Sequence, residues 1–176
     1  MNIWHDISKS RITPEKFVAC IEISKGSKKK YELDKETGLI MLDRVLYTST
    51  HYPANYGFIP RTYASDDDPL DVLVLCSEDL QTLSLVECKP IGIISMIDKN
   101  KVDEKIIAVA NGDPSLTHYE EIEDIPQHII TEMHHFFEIY KSLENIETYV
   151  LDIGDREQAM EIIKKAMIRY EKEFKR

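Results

Sequence analysis

Between Phe17 and Ala110 the chain is a series of short apolar runs broken by turn residues, and that punctuation limits the fold more than any other feature. The run "FVACIEIS" alternates, with Ile21 and Ile23 on one side and Cys20, Glu22 and Ser24 on the other. In "KKKYELD", Lys30 and Glu32 share one face and Tyr31 and Leu33 the opposite one. "DKETG" supplies turn chemistry before "LIMLDRVLY", and strand-like runs recur at "YGFIPRTY", "DVLVLC", "LSLVECKPIGIISMID" and "EKIIAVA". Short strands separated by turns predict a small barrel rather than a parallel sheet. Helical periodicity comes later. "IPQHIITEMHHFFEIYKSLE" places Ile129, Met133, Phe136 and Tyr140 on one stripe, with Pro126 in the first turn. "YVLDI" reads as a further strand. Asp155 and Gln158 form a capping pair ahead of the stripe Ala159, Ile162, Ile163, Ala166, Met167 and Tyr170. The expectation is one α+β domain spanning residues 1–176, mainly β, with two main helices.

A net charge of -10 argues against nucleic acid or an anionic membrane as the main partner, and suits cation binding. An anionic substrate is compatible only where metal ions or a local basic cluster reverse the field. The segment "MNIWHDISKS" has no basic region leading into an apolar core, so no signal peptide is expected, and no apolar run approaches the roughly 20 residues of a membrane helix. Cys20, Cys76 and Cys88 are scattered within apolar stretches without metal-type spacing, which points to reduced thiols and a cytoplasmic protein.

The stretch "SDDDPLDVLVL" crowds Asp66, Asp67, Asp68 and Asp71 around Pro69 at the start of a buried strand. Carboxylates this close repel one another, so the cluster is either a solvated turn or the seat of something positive. Pro69 disfavours helix, and in an extended segment Asp66 and Asp68 project together while Asp67 points away. With Asp71 anchored by its strand, three carboxylates converge, a donor set that suits a hard cation such as Mg²⁺. An EF-hand is unlike this pattern, because Asp71 occupies the position of its invariant glycine.

Charged residues also fall where apolar ones are expected. Glu22 interrupts an apolar strand, Arg44 shares a face with Leu42 and Leu46, Asp98 ends "IGIISMID", and Asp103 and Lys105 share a face. Half-buried charges of both signs must be paired or liganded. Carboxylates hold metal ions, while Lys, Arg and Tyr donate to phosphate oxygens. Tyr52 and Tyr56 in "YPANYG" add two phenols just upstream.

Taken in order, "IEI" at 21–23, "KYELDKETG" at 30–38, "DRVLY" at 43–47, "YPANYGFIP" at 52–60, "DDDPLDVLV" at 66–74, "IDKNKVDEKIIAV" at 97–109 and "HFFEIYKSLE" at 135–144 resemble the soluble, Mg²⁺-dependent inorganic pyrophosphatases of family I. "DDDPLDV" satisfies that family's signature, with Asp67 in a slot that also admits glycine, serine or asparagine. The resemblance implies a five-stranded OB-like closed barrel with helices outside, and hydrolysis of inorganic diphosphate to two orthophosphates by in-line attack of a metal-activated water. It implies that Asp66, Asp71 and Asp103 hold a first metal, that Asp71 also serves a second, and that Asp98 and Asp103 take another arriving with substrate. Glu32 would act near the metal-bound phosphate. Lys30, Arg44, Lys105, Tyr140 and Lys141 would bind the phosphoryl groups, and Asp68, with Tyr56 nearby, would take the proton of the attacking water. Glu22 and Tyr52 would stand behind these. The cofactor implied is Mg²⁺, several per subunit, with Mn²⁺ or Zn²⁺ as substitutes, and the assembly a homohexamer. Two departures stand out: Lys99 replaces a glutamate of some members, and "NIETYVLDIGD" replaces a basic residue followed by Gly-Trp. The rival reading is a non-catalytic divalent-cation-binding or assembly protein on the same barrel.

Overall fold

The computed structural model describes residues 1–175. It is a mainly β, α+β fold with eight strands and two long helices: β1 (Phe17–Ile23), β2 (Lys29–Leu33), β3 (Ile40–Val45), β4 (Asn55–Ile59), β5 (Leu70–Leu75), β6 (Leu85–Asp98), β7 (Lys101–Ala110), α1 (Gln127–Ile139), β8 (Thr148–Gly154) and α2 (Arg156–Phe174). Six strands form one sheet in the order β1-β4-β5-β7-β6-β8, and β1 pairs with β6 as well. The hydrogen-bonded path β1-β4-β5-β7-β6 therefore returns to β1. All of these pairings are antiparallel except β5 with β7, which is parallel. β2 and β3 stand apart as a two-stranded antiparallel hairpin.

Both faces of β1 are covered and every residue of the strand is buried, and the expected alternation breaks at Glu22, where a register shift puts Ile21 and Ile23 in different cores rather than on one side. The residues Ala19, Ile21, Val72, Val74, Ile106 and Ala108 join Ala159, Ile163 and Ala166 of α2 in one apolar core. Their neighbours Ile23, Leu73, Leu75, Ile107 and Val109 face the other way, against Met133, Phe136 and Phe137 of α1. The two helices thus cover different faces of the same strands. β1 and β4 approach so closely that a Cβ on Gly57 would sit 1.9 Å from the carbonyl oxygen of Cys20, which only glycine avoids.

Local chemistry sets the element ends. Pro126 immediately precedes α1, where its missing N–H costs nothing. At α2 the Asp155 carboxylate accepts the Gln158 backbone N–H (2.8 Å) and the Gln158 side chain accepts that of Asp155 (2.9 Å), the reciprocal cap expected from the sequence. Lys99 and Asn100 join β6 to β7 with φ of 49° and 64°, the left-handed pair that a two-residue hairpin turn requires. Among the described residues no helix is long and apolar enough to cross a membrane.

Candidate active site

A cavity of about 330 Å³ opens where the α1-facing side of the sheet ends and the β2–β3 hairpin leans over it. Seven carboxylates line it, Glu22, Glu32, Asp66, Asp68, Asp71, Asp98 and Asp103, together with Lys30, Lys35, Lys105 and Lys141 and the phenols of Tyr52, Tyr56 and Tyr140. Every residue singled out in the sequence as a site candidate lies on this wall except Arg44.

The sheet register builds the centre. In the parallel pair β5–β7, Asp71 stands opposite Lys105, and Asp103 lies two residues earlier on the same face of β7. The Lys105 ammonium, 2% exposed, donates to Asp71 Oδ2 (2.8 Å), Asp103 Oδ2 (3.1 Å) and the Tyr56 hydroxyl (2.8 Å). It also lies 5.2 Å and 5.3 Å from the ring centroids of Tyr56 and Phe137. Burial alone disfavours its charge, but Asp103, Asp71 and Tyr56 outweigh that and hold the lysine protonated well above its ordinary range. Tyr56 is pushed the same way, by burial first and then by the Asp71 charge, so its phenol stays neutral.

Two irregularities re-aim charged side chains. β1 shifts register between Ile21, opposite Gly57, and Ile23, opposite Tyr56, leaving Glu22 as the extra residue. A bulge of this kind turns one side chain out of the strand's alternation, and Glu22 lines the cavity from a strand otherwise wholly apolar. Glu22 accepts the Leu33 backbone N–H (2.8 Å) and so ties the hairpin to β1. Burial, reinforced by Asp71, pushes its carboxyl up to about 8. In the hairpin the register shift between Lys30, opposite Arg44, and Tyr31, opposite Leu42, makes Asp43 the extra residue. Asp43 pairs with both Lys30 (3.4 Å) and Arg44, and the Arg44 Nε lies 2.8 Å from Glu144. The guanidinium is therefore engaged beside the cavity by two carboxylates that the sequence reading had not singled out.

The acidic loop divides as its spacing suggests, though by a different route. Asp66 and Asp68 line the cavity and Asp67 does not. The cause is a left-handed kink at Asp67 (φ 69°) rather than a uniformly extended segment. The Asp67 carboxylate accepts the Tyr63 hydroxyl (2.9 Å), and the Asp68 carboxylate is paired with Lys35 of the β2–β3 turn. At the far wall, Lys141 just beyond α1 is paired with Asp98 at the end of β6. Tyr140 is 4% exposed and packs on Phe136 and Phe137, so its ring is core as well as wall. Lys99 lies exposed at the β6–β7 hairpin tip and does not line the cavity.

A model of the inorganic pyrophosphatase family matches residues 19–171 of this chain. Soluble inorganic pyrophosphatase 1 of Arabidopsis thaliana is 47% identical over 167 residues, covering 95% of this chain and 79% of the relative. Soluble inorganic pyrophosphatase 2 of Chlamydomonas reinhardtii is 44% identical, covering 97% and 89%. The chain belongs to the inorganic pyrophosphatase family. Solved pyrophosphatase structures agree in fold: that from Helicobacter pylori superposes with a TM-score of 0.90 at 41% identity, over 94% of this chain and 99% of the other. The Thermus thermophilus enzyme gives 0.92 at 38% identity, over 97% and 99%.

Among the described residues no three His, Cys, Asp or Glu side chains are grouped so as to hold a metal ion, and the Lys105 ammonium stands between Asp71 and Asp103 instead. The donor set is nevertheless short of positive charge. Burial, with Asp71, Asp103 and Asp68 nearby, pushes the Asp66 carboxyl up to about 6. Asp98 Oδ1 is buried without a hydrogen-bond partner. Hard oxygen donors that repel one another around an orphaned carboxylate oxygen fit a hard cation. Lys35 and Glu144 were missed in the sequence because each pairs with a residue distant in the chain, Asp68 and Arg44, and Asp43 because a register shift in the hairpin inserts it beside Lys30 and Arg44.

Proposed function

We propose that this member of the pyrophosphatase family hydrolyses inorganic diphosphate to two orthophosphates in the cavity beneath the β2–β3 hairpin. The observation that carries this reading is the cavity lining, in which seven carboxylates face four lysines in a space of about 330 Å³. Carboxylates alone would repel a polyanion and lysines alone would bind it without reaction. Together they hold cations and phosphoryl oxygens side by side.

Asp66, Asp71 and Asp103 would hold the first divalent cation, with Asp71 shared by a second, and Asp98, Asp103 and Glu32 would face cations that enter with substrate. Mg²⁺ suits these hard oxygen donors, with Mn²⁺ or Zn²⁺ as substitutes. When bound, such a cation supplies positive charge that neutralises phosphoryl oxygens and makes nearby water more acidic. Lys30, Lys105 and Lys141 donate to the oxygens of the two phosphoryl groups, and Tyr56 and Tyr140, kept neutral by burial, donate their hydroxyl protons. Arg44 joins them by exchanging Asp43 and Glu144 for a phosphoryl oxygen. Asp68 accepts a proton as water attacks one phosphorus in line, the bridging P–O bond breaks, and the second phosphate leaves. Glu22 and Tyr52 support the wall from behind.

The return of strand pairing from β6 to β1 supports a five-stranded, OB-like closed barrel. We read residues 1–176 as one domain. By family likeness we read the chain as a homo-oligomer, a hexamer, which light scattering measures. Free Cys20, Cys76 and Cys88 support a cytoplasmic protein. The net charge of -10 speaks against nucleic acid as partner, and the same charge against an anionic membrane surface.

The test is phosphate release from diphosphate with Mg²⁺ present and after chelation. Release that requires the metal is expected, and absence of turnover under both conditions rejects the enzyme in favour of a cation-binding protein.

A further inference from the structure

Building on the diphosphatase reading, we infer that Lys35 is a positioning residue for Asp68. Among the described residues, Lys35 is the only partner of the Asp68 carboxylate, to which it is paired, while the same ammonium also reaches the Asp67 carbonyl oxygen (3.3 Å). Both side chains are about half exposed. Without Lys35 the carboxylate would turn freely on a surface loop, whereas Asp71 and Asp103 are each fixed by the buried Lys105.

The two ends of this contact are unequal. The turn that carries Lys35 is held from several sides. Gly38 N–H donates to Asp34 O (2.8 Å) and Asp34 N–H to Leu39 O (2.8 Å), while the Asp34 carboxylate accepts Thr37 N–H (3.2 Å). The Lys35 carbonyl accepts the Asn2 side-chain N–H (2.9 Å). Gly38 lies at φ 74°, and a Cβ there would meet the Asn2 Cα at 2.8 Å, so the turn seats directly on the N-terminal segment. The loop backbone is likewise pinned, by Asp67 to Tyr63 and by Ala64 N–H to Asp68 O (2.8 Å). What stays loose is the Asp68 side chain, and a lysine on a fixed turn orients it toward the cavity that both residues line.

The experiment is a double-mutant cycle on the full chain with Mg²⁺ present, reading kcat and KM for diphosphate. Lys35→Ala is expected to lower kcat about 5- to 10-fold, well short of losing the base itself, with KM little changed. Lys35→Arg should restore most of that loss. In the Asp68→Asn background, Lys35→Ala should change kcat no further, because its target is already gone. An unchanged kcat in the single variant, an equal drop in both backgrounds, or an effect confined to KM would overturn the assignment, the last by making Lys35 a substrate contact. If the wild-type chain releases no phosphate, the diphosphatase reading falls and takes this one with it. An active wild type with an indifferent Lys35→Ala removes this inference alone.

Discussion

The two faces of β5 and β7 differ in what they bury. On the α2 side, Val72, Ile106 and Ala108 meet Ala159, Ile163 and Ala166 in an ordinary hydrocarbon core. One residue away on each strand, Asp71 and Lys105 belong to the other face, where apolar packing against α1 gives way to a cavity of charges. The first face supplies stability at roughly 25 cal/mol per Å² of buried apolar surface. The second spends some of it, since a buried carboxyl at about 8 (Glu22) and a half-buried one at about 6 (Asp66) stand where water would have suited them better. Strained charge beside a robust core is the arrangement expected when a site is built for a ligand rather than for the fold.

Substitutions that separate the faces test this contrast. Asp68→Ala should lower diphosphate turnover about 10²–10⁴-fold in a steady-state phosphate assay while leaving the urea midpoint near wild type. A fall in both would make the loop part of the stability core and erase the distinction. Ile163→Ala, on the fully buried α2 side, should do the reverse and cost about 2–5 kcal/mol in urea unfolding, with kcat of the folded enzyme retained.

A smaller effect is expected at Asp113, remote from the cavity, whose carboxylate accepts Ser77 N–H (2.6 Å) and Ser115 N–H (2.9 Å). The Ser77 bond, with that of Ser115, holds its carboxyl down at about 2 from an ordinary 3.8. Because the folded value is the lower one, its contribution is complete above about 3.8 and is lost as pH falls toward 2. Asp113→Asn should therefore be less stable than wild type at neutral pH, with the gap closing over that interval in a pH series of urea unfolding curves. Smallest of all is Asp67→Gly. Glycine tolerates the φ of 69°, and the lost Tyr63 contact is exposed, so activity and stability should both stay within about 0.5 kcal/mol of wild type.

Much of this was legible in the chain. Strand and helix existence followed from period and punctuation, and the α2 cap from Asp155 and Gln158, because these are local interactions. Collecting Glu22, Lys30, Glu32, Arg44, Asp98, Asp103 and Lys105 as misplaced charges found the wall of one cavity for all but Arg44, since burying a charge without purpose is costly. What sequence did not reveal was long-range or irregular. Alternation missed the bulges that present Glu22 and insert Asp43, and nothing local told that Arg44 would be held by Glu144, a hundred residues on. The left-handed state of Asp67 suits the glycine and asparagine, though not the serine, that the resembled signature also admits in that slot.

The pairing of Asp71 with Lys105 across two parallel strands has one more consequence. A slip of a single residue along β5 would bring Val72 to the cavity of charges and drive the Asp71 carboxylate into hydrocarbon, leaving the Lys105 ammonium with Asp103 alone. The charges that serve chemistry in the finished enzyme thus act, while the chain is still assembling, as an alignment mark that only the correct pairing satisfies.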